Sequence, residues 1–285
     1  GAHPYTLLDV FTAEPLRGNG LAVVHDADGV GDEVMLRFAR ETRLSETSFV
    51  QSSRRDGADY RHRIWMMGGE IPFAGHPSLG VAAAVARLRG EGSATYVQET
   101  RAGLQPVEVE LDGLRARVSM LQEPAVFGPE LDPAEVLAFA GLTAADSDPD
   151  LPVQVVSTGV AQVLVPVRDP AALERARPDY EAIGALLGAH AAITFYLVAV
   201  DAAAGTARAR SFAATAEMGE DPATGSAVGP LCAHVAARTG AQRLEVSQGV
   251  EMGRPSSLDA AIEGDRVRVG GDAVVVVEGT VHLDT

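Results

Sequence analysis

Two short stretches hold side chains able to move a proton or cradle an anion. In the first, Arg63-Ile64-Trp65 leads to Glu70 and then to Pro72-Phe73-Ala74-Gly75-His76-Pro77. In the second, Arg210-Ser211-Phe212 leads to Glu217 and then to Asp221-Pro222-Ala223-Thr224-Gly225-Ser226. Each has an Arg, an aromatic two residues on and a Glu seven residues on. After a gap three residues longer in the second copy, each has Pro-x-x-Gly with a His or small polar residue, running into an Ala/Val/Leu stretch. The pattern reads as one structural unit used twice.

The apolar stretches 79–88 and 228–237 read as buried helices that begin at these glycine turns, with Pro230 placed in the first turn of the second. A helix start leaves backbone N–H groups unpaired and carries partial positive charge, so it can hold a carboxylate. Two such starts would make one anionic-substrate site in a cleft between the halves. The same His76 and Ser226 would serve as well as simple caps on core helices. A third motif, Leu44-Ser45-Glu46-Thr47-Ser48, sets a carboxylate between hydroxyl side chains where a helix gives way to a strand. Pointed into a cleft, Glu46 would be an acid or base usable near neutral pH, because burial raises a carboxyl pKa. Pointed outward, it is an ordinary exposed turn residue.

The elements that must position these residues alternate short strands with few helices. Strands are predicted at 5–11, 21–24, 60–67, 95–100, 106–111 and 114–120 in the first half, with a helix at 32–43. The loop Arg17-Gly18-Asn19-Gly20 is predicted as a turn, and Asp112-Gly113 as a hairpin turn. In the second half, strands are predicted at 153–157, 162–167, 192–200, 208–213, 244–248, 257–263, 266–269 and 272–283, with two short helices on either side of Pro178. The domains implied are 1–122, a crossover at 123–150 that holds four prolines and a short helix at 134–140, and 151–285, whose last strands are placed to pack on the first domain. The fold class is α+β, each half a curved, mostly antiparallel sheet around a central helix that is apolar on nearly every face.

Composition narrows the chemistry. The 285 residues suffice for about two domains with substantial cores. The apolar fraction is 46% and no apolar run approaches the ~20 residues needed to cross a membrane. A net charge of −16 with no basic cluster argues against nucleic acid or anionic lipid as partners. A cytoplasmic location is expected, with no signal-peptide pattern before Tyr5. All 23 basic residues are Arg, so neither a pyridoxal-phosphate Schiff base nor a phosphate-loop lysine can be built. The single Cys232 rules out a mechanism using two opposed thiols, and its place in an apolar helix suits a packed small side chain. No Gly-x-Gly-x-x-Gly follows a strand and opens a helix, which weighs against a dinucleotide-dependent oxidoreductase.

The Gly18-Asn19 loop before Leu21-Ala22-Val23-Val24, the Leu44–Val50 motif, the Pro72–Pro77 turn and Glu220-Asp221-Pro222-Ala223-Thr224-Gly225-Ser226-Ala227 occur in one order along most of the chain. In that order they resemble the PhzF-like phenazine-biosynthesis family, related to diaminopimelate epimerase and proline racemase. The resemblance implies two pseudo-twofold-related halves, a homodimer, and an isomerase needing neither cofactor nor metal. It also implies that Glu46 carries the proton, that His76 and Asp221 orient the substrate and set the protonation of Glu46, and that Gly75, Gly225, Ser226 and Asn19 bind it. The expected partner is a small carboxylic acid. Racemases and epimerases of the wider superfamily place a Cys at each helix start, where this chain has His76 and Ser226. Gly20 stands where many members have Pro, a change expected only to loosen a turn, and Met66-Met67-Gly68-Gly69 replaces a more polar stretch. A protein that keeps the anion cradle but transfers no proton is the alternative.

Overall fold

The computed structural model describes residues 1–72 and 75–283. Phe73 and Ala74 of the first glycine-turn motif therefore lie outside the described residues. The chain divides into two compact units, Gly1–Met120 with Gly270–Thr285, and Leu121–Val269. Residues 123–150, read from sequence as a crossover, belong to the second unit.

In the first unit β1 (Ala2–Val10), β2 (Asn19–Val24), α1 (Asp32–Thr42), β3 (Thr47–Gln51), β4 (Tyr60–Met66), β5 (Gly69–Ile71), α2 (Gly75–Arg89), β6 (Ser93–Thr100), β7 (Gly103–Asp112) and β8 (Arg115–Leu121) follow in order. β1 pairs antiparallel with β2 and with the chain's last strand. The pairing then runs parallel to β3, antiparallel to β4, parallel to β6, and antiparallel through β7 and β8. β8 also pairs with the last strand, which closes the ring into a barrel. β5 hangs on β4 as a short hairpin arm.

Helix α2 fills this barrel, packing on β1, β2, β3, β4, β6 and β7. It is buried from Gly75 to Ala86. The reason is visible in its composition: with Val, Ala and Leu on every side it has no face to offer water. Helix α1 is amphipathic and lies outside, burying Met35 and Ala39 in a cluster with Val24, Phe49 and Trp65.

The second unit holds β9 (Val126–Glu130), α3 (Pro133–Ala138), β10 (Gln154–Ser157), β11 (Ala161–Val167), α4 (Pro170–Arg175), α5 (Tyr180–Ala189), β12 (Ala192–Asp201), β13 (Thr206–Phe212), β14 (Glu220–Asp221), α6 (Gly225–Thr239), β15 (Arg243–Gln248), β16 (Ser256–Glu263) and the start of β17 (Arg266–His282). Its pairings repeat those of the first unit in the same order and sense. β10–β11 is antiparallel, β11–β12 parallel, β12–β13 and β13–β14 antiparallel, β13–β15 parallel and β15–β16 antiparallel. Helix α6 follows β14 as α2 follows β5, and packs on β10, β11, β15 and β16.

Four sequence expectations need correction. Asn19 and Gly20 are not a turn but the first residues of β2, with Asn19 opposite Val10. The turn comes earlier, with left-handed backbone at Leu16 and Gly18. It is held by the Leu16 N–H donating to Asp9 Oδ2 at 2.7 Å. Any side chain at Gly18 would meet the Val10 carbonyl, so the tight turn requires glycine there. Pro230 is the sixth residue of α6, inside the helix rather than in its first turn. β9 went unpredicted because Gly128 and Pro129 interrupt it, and the strand absorbs them with a register shift against β10. The strands read as 266–269 and 272–283 are one, β17, which begins in the second unit and ends in the first. A Cβ on Gly270 would sit 2.8 Å from the Val118 carbonyl, so this glycine lets the backbones approach and breaks nothing.

Candidate active site

In the first unit three of the predicted residues come together. The turn at Gly18 delivers Asn19, 2% exposed, at the head of β2. Helix α1 ends with Arg43 in the left-handed conformation, and the chain then swings through Ser45 and Glu46 into β3. A hydrogen bond of 2.8 Å between the Thr42 and Thr47 hydroxyls pins the base of that segment. His76, the second residue of α2, is buried.

The Asn19 amide lies between the other groups. Its Oδ1 accepts from the Ser45 hydroxyl at 3.0 Å and its Nδ2 lies 3.4 Å from His76 Nδ1. His76 Nε2 in turn is 3.4 Å from Glu46 Oε2. Burial depresses the His76 pKa to about 3, against a smaller opposing effect of its hydrogen bond with the Gly20 backbone. The imidazole is thus neutral at neutral pH, and its contact with Glu46 is not an ion pair. The Glu46 side chain remains 16% exposed, buried enough to be held and open enough to meet a ligand.

In the second unit Asp221, Gly225 and Ser226 cluster at the start of α6. Asp221 Oδ2 accepts from the Thr224 hydroxyl at 2.6 Å. Three buried glutamines brace the turn. Gln122 donates to the Gly225 carbonyl at 3.0 Å, Gln162 to the Ser226 hydroxyl at 3.3 Å, and Gln248 to both the Asp221 carbonyl and the Thr224 hydroxyl. Cys232 is buried farther along α6, and burial pushes its thiol up to about 11, so it is an unreactive core side chain.

The duplicated Arg fixes the hairpin before each helix. Arg63 grips Glu70 through two bonds of 2.8 Å and lies over the Trp65 ring. Arg210 grips Glu220 at 2.9 and 3.0 Å and lies over the Phe212 ring. Its partner is therefore Glu220, not the Glu217 that the even sequence spacing suggests. Glu217 is exposed. An open depression of about 950 Å³ in the second unit, lined by Asp148, Arg168, Asp201, Arg208 and Glu245 among others, contains none of these residues. Among the described residues no group of three or more His, Cys, Asp or Glu is placed to hold a metal ion.

Comparison with known proteins meets these motifs. The family model for phenazine biosynthesis-like proteins (PhzC-PhzF) matches residues 8–279. The chain belongs to this family. Over 293 residues it is 37% identical to the trans-2,3-dihydro-3-hydroxyanthranilate isomerase of Pseudomonas aeruginosa, covering 99% of this chain and all of that one. The same relation at 35% holds for the Pseudomonas fluorescens isomerase, covering 99% of this chain and all of that one. The structure of a predicted epimerase from Pseudomonas aeruginosa superposes with a TM-score of 0.87 at 33% identity, covering 98% of this chain and 99% of that one. This PhzF-like chain is an enzyme of the isomerase class.

The motifs led to Asn19, Glu46, His76, Asp221, Gly225 and Ser226, and the structure groups them as one cluster in each unit. They missed Ser45 as the partner of Asn19, and the bracing glutamines. The glutamines did leave a mark: Gln162 and Gln248 occupy fully buried positions in strands whose other buried residues are Val, Leu and Pro.

Proposed function

We propose that this PhzF-like protein moves a proton between carbons of a small unsaturated or amino carboxylic acid by general acid/base catalysis. The observation that carries the reading is the first-unit cluster, in which a half-buried carboxylate stands beside a buried neutral imidazole that Asn19 also touches. Glu46 takes a proton from a carbon next to the unsaturated system, and the electron pair shifts along that system. The same carboxyl then returns the proton at another carbon, so atoms and charge balance without a second reactant. The reading gives His76 and Asp221 the task of orienting the ligand's amine or hydroxyl, and gives His76, beside Glu46, the task of setting its protonation. It gives the amide-rich backbone at Gly75 and Gly225, with Asn19 and Ser226, the carboxylate.

The relatives' names support the proposed substrate class. The Pseudomonas aeruginosa enzyme is named for trans-2,3-dihydro-3-hydroxyanthranilate, which carries a carboxylate, an amine, a hydroxyl and a partly unsaturated ring. That compound, or one of the same type, is the first to try. Incubated in heavy water with the protein, it should acquire deuterium on carbon as it isomerises. Tight binding with no carbon-bound deuterium would identify instead a binding protein that keeps the cradle and has lost the chemistry. A homodimer is also proposed, to be checked by light scattering in solution.

A further inference from the structure

The Gln248 side chain makes four hydrogen bonds, and together they leave it only one orientation. Its Oε1 accepts from the Thr224 backbone N–H at 3.2 Å and from the Tyr196 hydroxyl at 2.9 Å. Its Nε2 donates to the Asp221 carbonyl at 2.8 Å and to the Thr224 hydroxyl oxygen at 3.0 Å. A backbone N–H can only donate and a carbonyl can only accept, so the amide cannot be flipped. Gln248 is wholly buried, and a satisfied buried amide of this kind is rigid.

That orientation fixes the next link. Nε2 has no acceptor capacity, so the Thr224 oxygen receives a proton from it and must send its own proton elsewhere. Among the described residues the acceptor in reach is Asp221 Oδ2, 2.6 Å away. The chain approaches closely here: a Cβ on Gly249, whose φ is +78°, would lie 2.6 Å from the Pro222 carbonyl. The turn holding Asp221 is thus pressed against the end of β15 that carries Gln248.

We propose that Gln248 and Thr224 are positioning residues that aim one fixed hydrogen bond at Asp221 and so present its carboxylate purely as an acceptor. The ligand group meeting Asp221 must then be a hydrogen-bond donor, an ammonium or a hydroxyl. This rests on the reading of Asp221 as a substrate-orienting group. Among the described residues, the titratable groups beside Asp221 include Tyr196, whose hydroxyl burial holds in the protonated form, and Glu220, already engaged by Arg210.

The test is the titration of Asp221 itself, followed by NMR in protein carrying carboxyl-13C aspartate and assigned by the signal lost in Asp221→Asn. Thr224→Val should raise the Asp221 midpoint by ~1 pH unit, because a hydrogen bond to the charged form is gone. Thr224→Ser should restore it. Tyr196→Phe, which removes one oxygen at the far end of the relay, should shift it in the same direction by less and remains informative if Thr224→Val does not fold. An Asp221 midpoint unmoved by both variants, with only the melting temperature lowered, reduces Gln248 and Thr224 to a helix-start brace and overturns the proposal. Failure of the isomerase reading would look different: wild-type protein would leave ligand protons unexchanged in heavy water while the Asp221 midpoint still followed Thr224.

Discussion

Helix α2 opens with Gly75-His76-Pro77 and helix α6 with Gly225-Ser226-Ala227, each inside a unit whose strands pair in the same order and sense. Around the first opening stand a carboxylic acid, an imidazole and a carboxamide at separations of 3.4 Å, loosely joined. Around the second, three glutamines and a threonine tie the turn down with bonds of 2.6 to 3.3 Å. The first unit does use a glutamine brace, but one turn deeper. Gln98 donates to the Ser78 carbonyl at 2.7 Å and accepts from His62, which in turn bonds Ser48. The difference teaches that one backbone plan carries two differently built openings. The loosely joined one holds groups that can trade a proton, and the tied one holds a carboxylate at a set angle.

The comparison can be strained first at the paired arginines. Arg210 also bonds the Leu173 and Ala176 carbonyls, whereas Arg63 reaches Asp32, whose side chain is 72% exposed. Arg210→Ala leaves the largely buried Glu220 without its guanidinium, a loss of about 3 kcal/mol in urea unfolding, whereas Arg63→Ala leaves Glu70 the half-exposed Arg101 at 3.4 Å and should cost less. Equal losses would mean that the extra backbone bonds of Arg210 add nothing.

A smaller effect is expected from placing a methyl beneath each helix. In Gly80→Ala the new Cβ would meet Leu21 and Val10 at 2.6 and 2.8 Å, an apolar squeeze. In Gly229→Ala it would run into the Gln122 amide. Each should cost ~1–3 kcal/mol by overpacking, and only the second should also disturb the start of α6, seen as faster amide exchange at Gly225 and Ser226.

Acid should separate the units as well. His25, His62 and His76 in the first unit are held by burial at about 4, 4 and 3, while the second unit has only His234 so affected among the described residues, at about 4. A histidine whose folded pKa is depressed takes up its proton more readily when unfolded. The stability it contributes is therefore present above ~6.5 and is lost as pH falls toward the folded values. Hydrogen exchange at pH 4.5 against pH 7 should show the first unit loosening more. Uniform loosening would contradict the assignment.

The least effect is expected at Glu217. Glu217→Gln should change stability by less than ~0.5 kcal/mol, whereas Glu220→Gln should weaken the grip of Arg210 measurably. A larger loss at Glu217 would restore the even spacing that the sequence suggests.

Much of this was legible from residues alone. Helices α2 and α6 announce themselves by being apolar on all sides, and the hairpin expected at Asp112-Gly113 comes one residue later, with left-handed Gly113 and Leu114 between the paired Asp112 and Arg115. What could not be read depends on contacts distant in the chain. Asn19-Gly20 carries a strong turn signal, yet the Asp9 carboxylate captures Leu16 and moves the turn forward. The second Arg–Glu pair hides because the turn at 215–219 inserts three residues, so the glutamate arrives at 220. Gln98, Gln122, Gln162 and Gln248 share no local pattern, since what unites them is the helix ends they reach.

Of all these, the role of Glu46 is met most directly by heavy-water exchange with Glu46→Gln, on protein shown to be folded by its circular dichroism. Deuterium should enter carbon at least ~10²-fold more slowly than with wild type, while the ligand still binds. Exchange at the wild-type rate would show that some other group carries the proton.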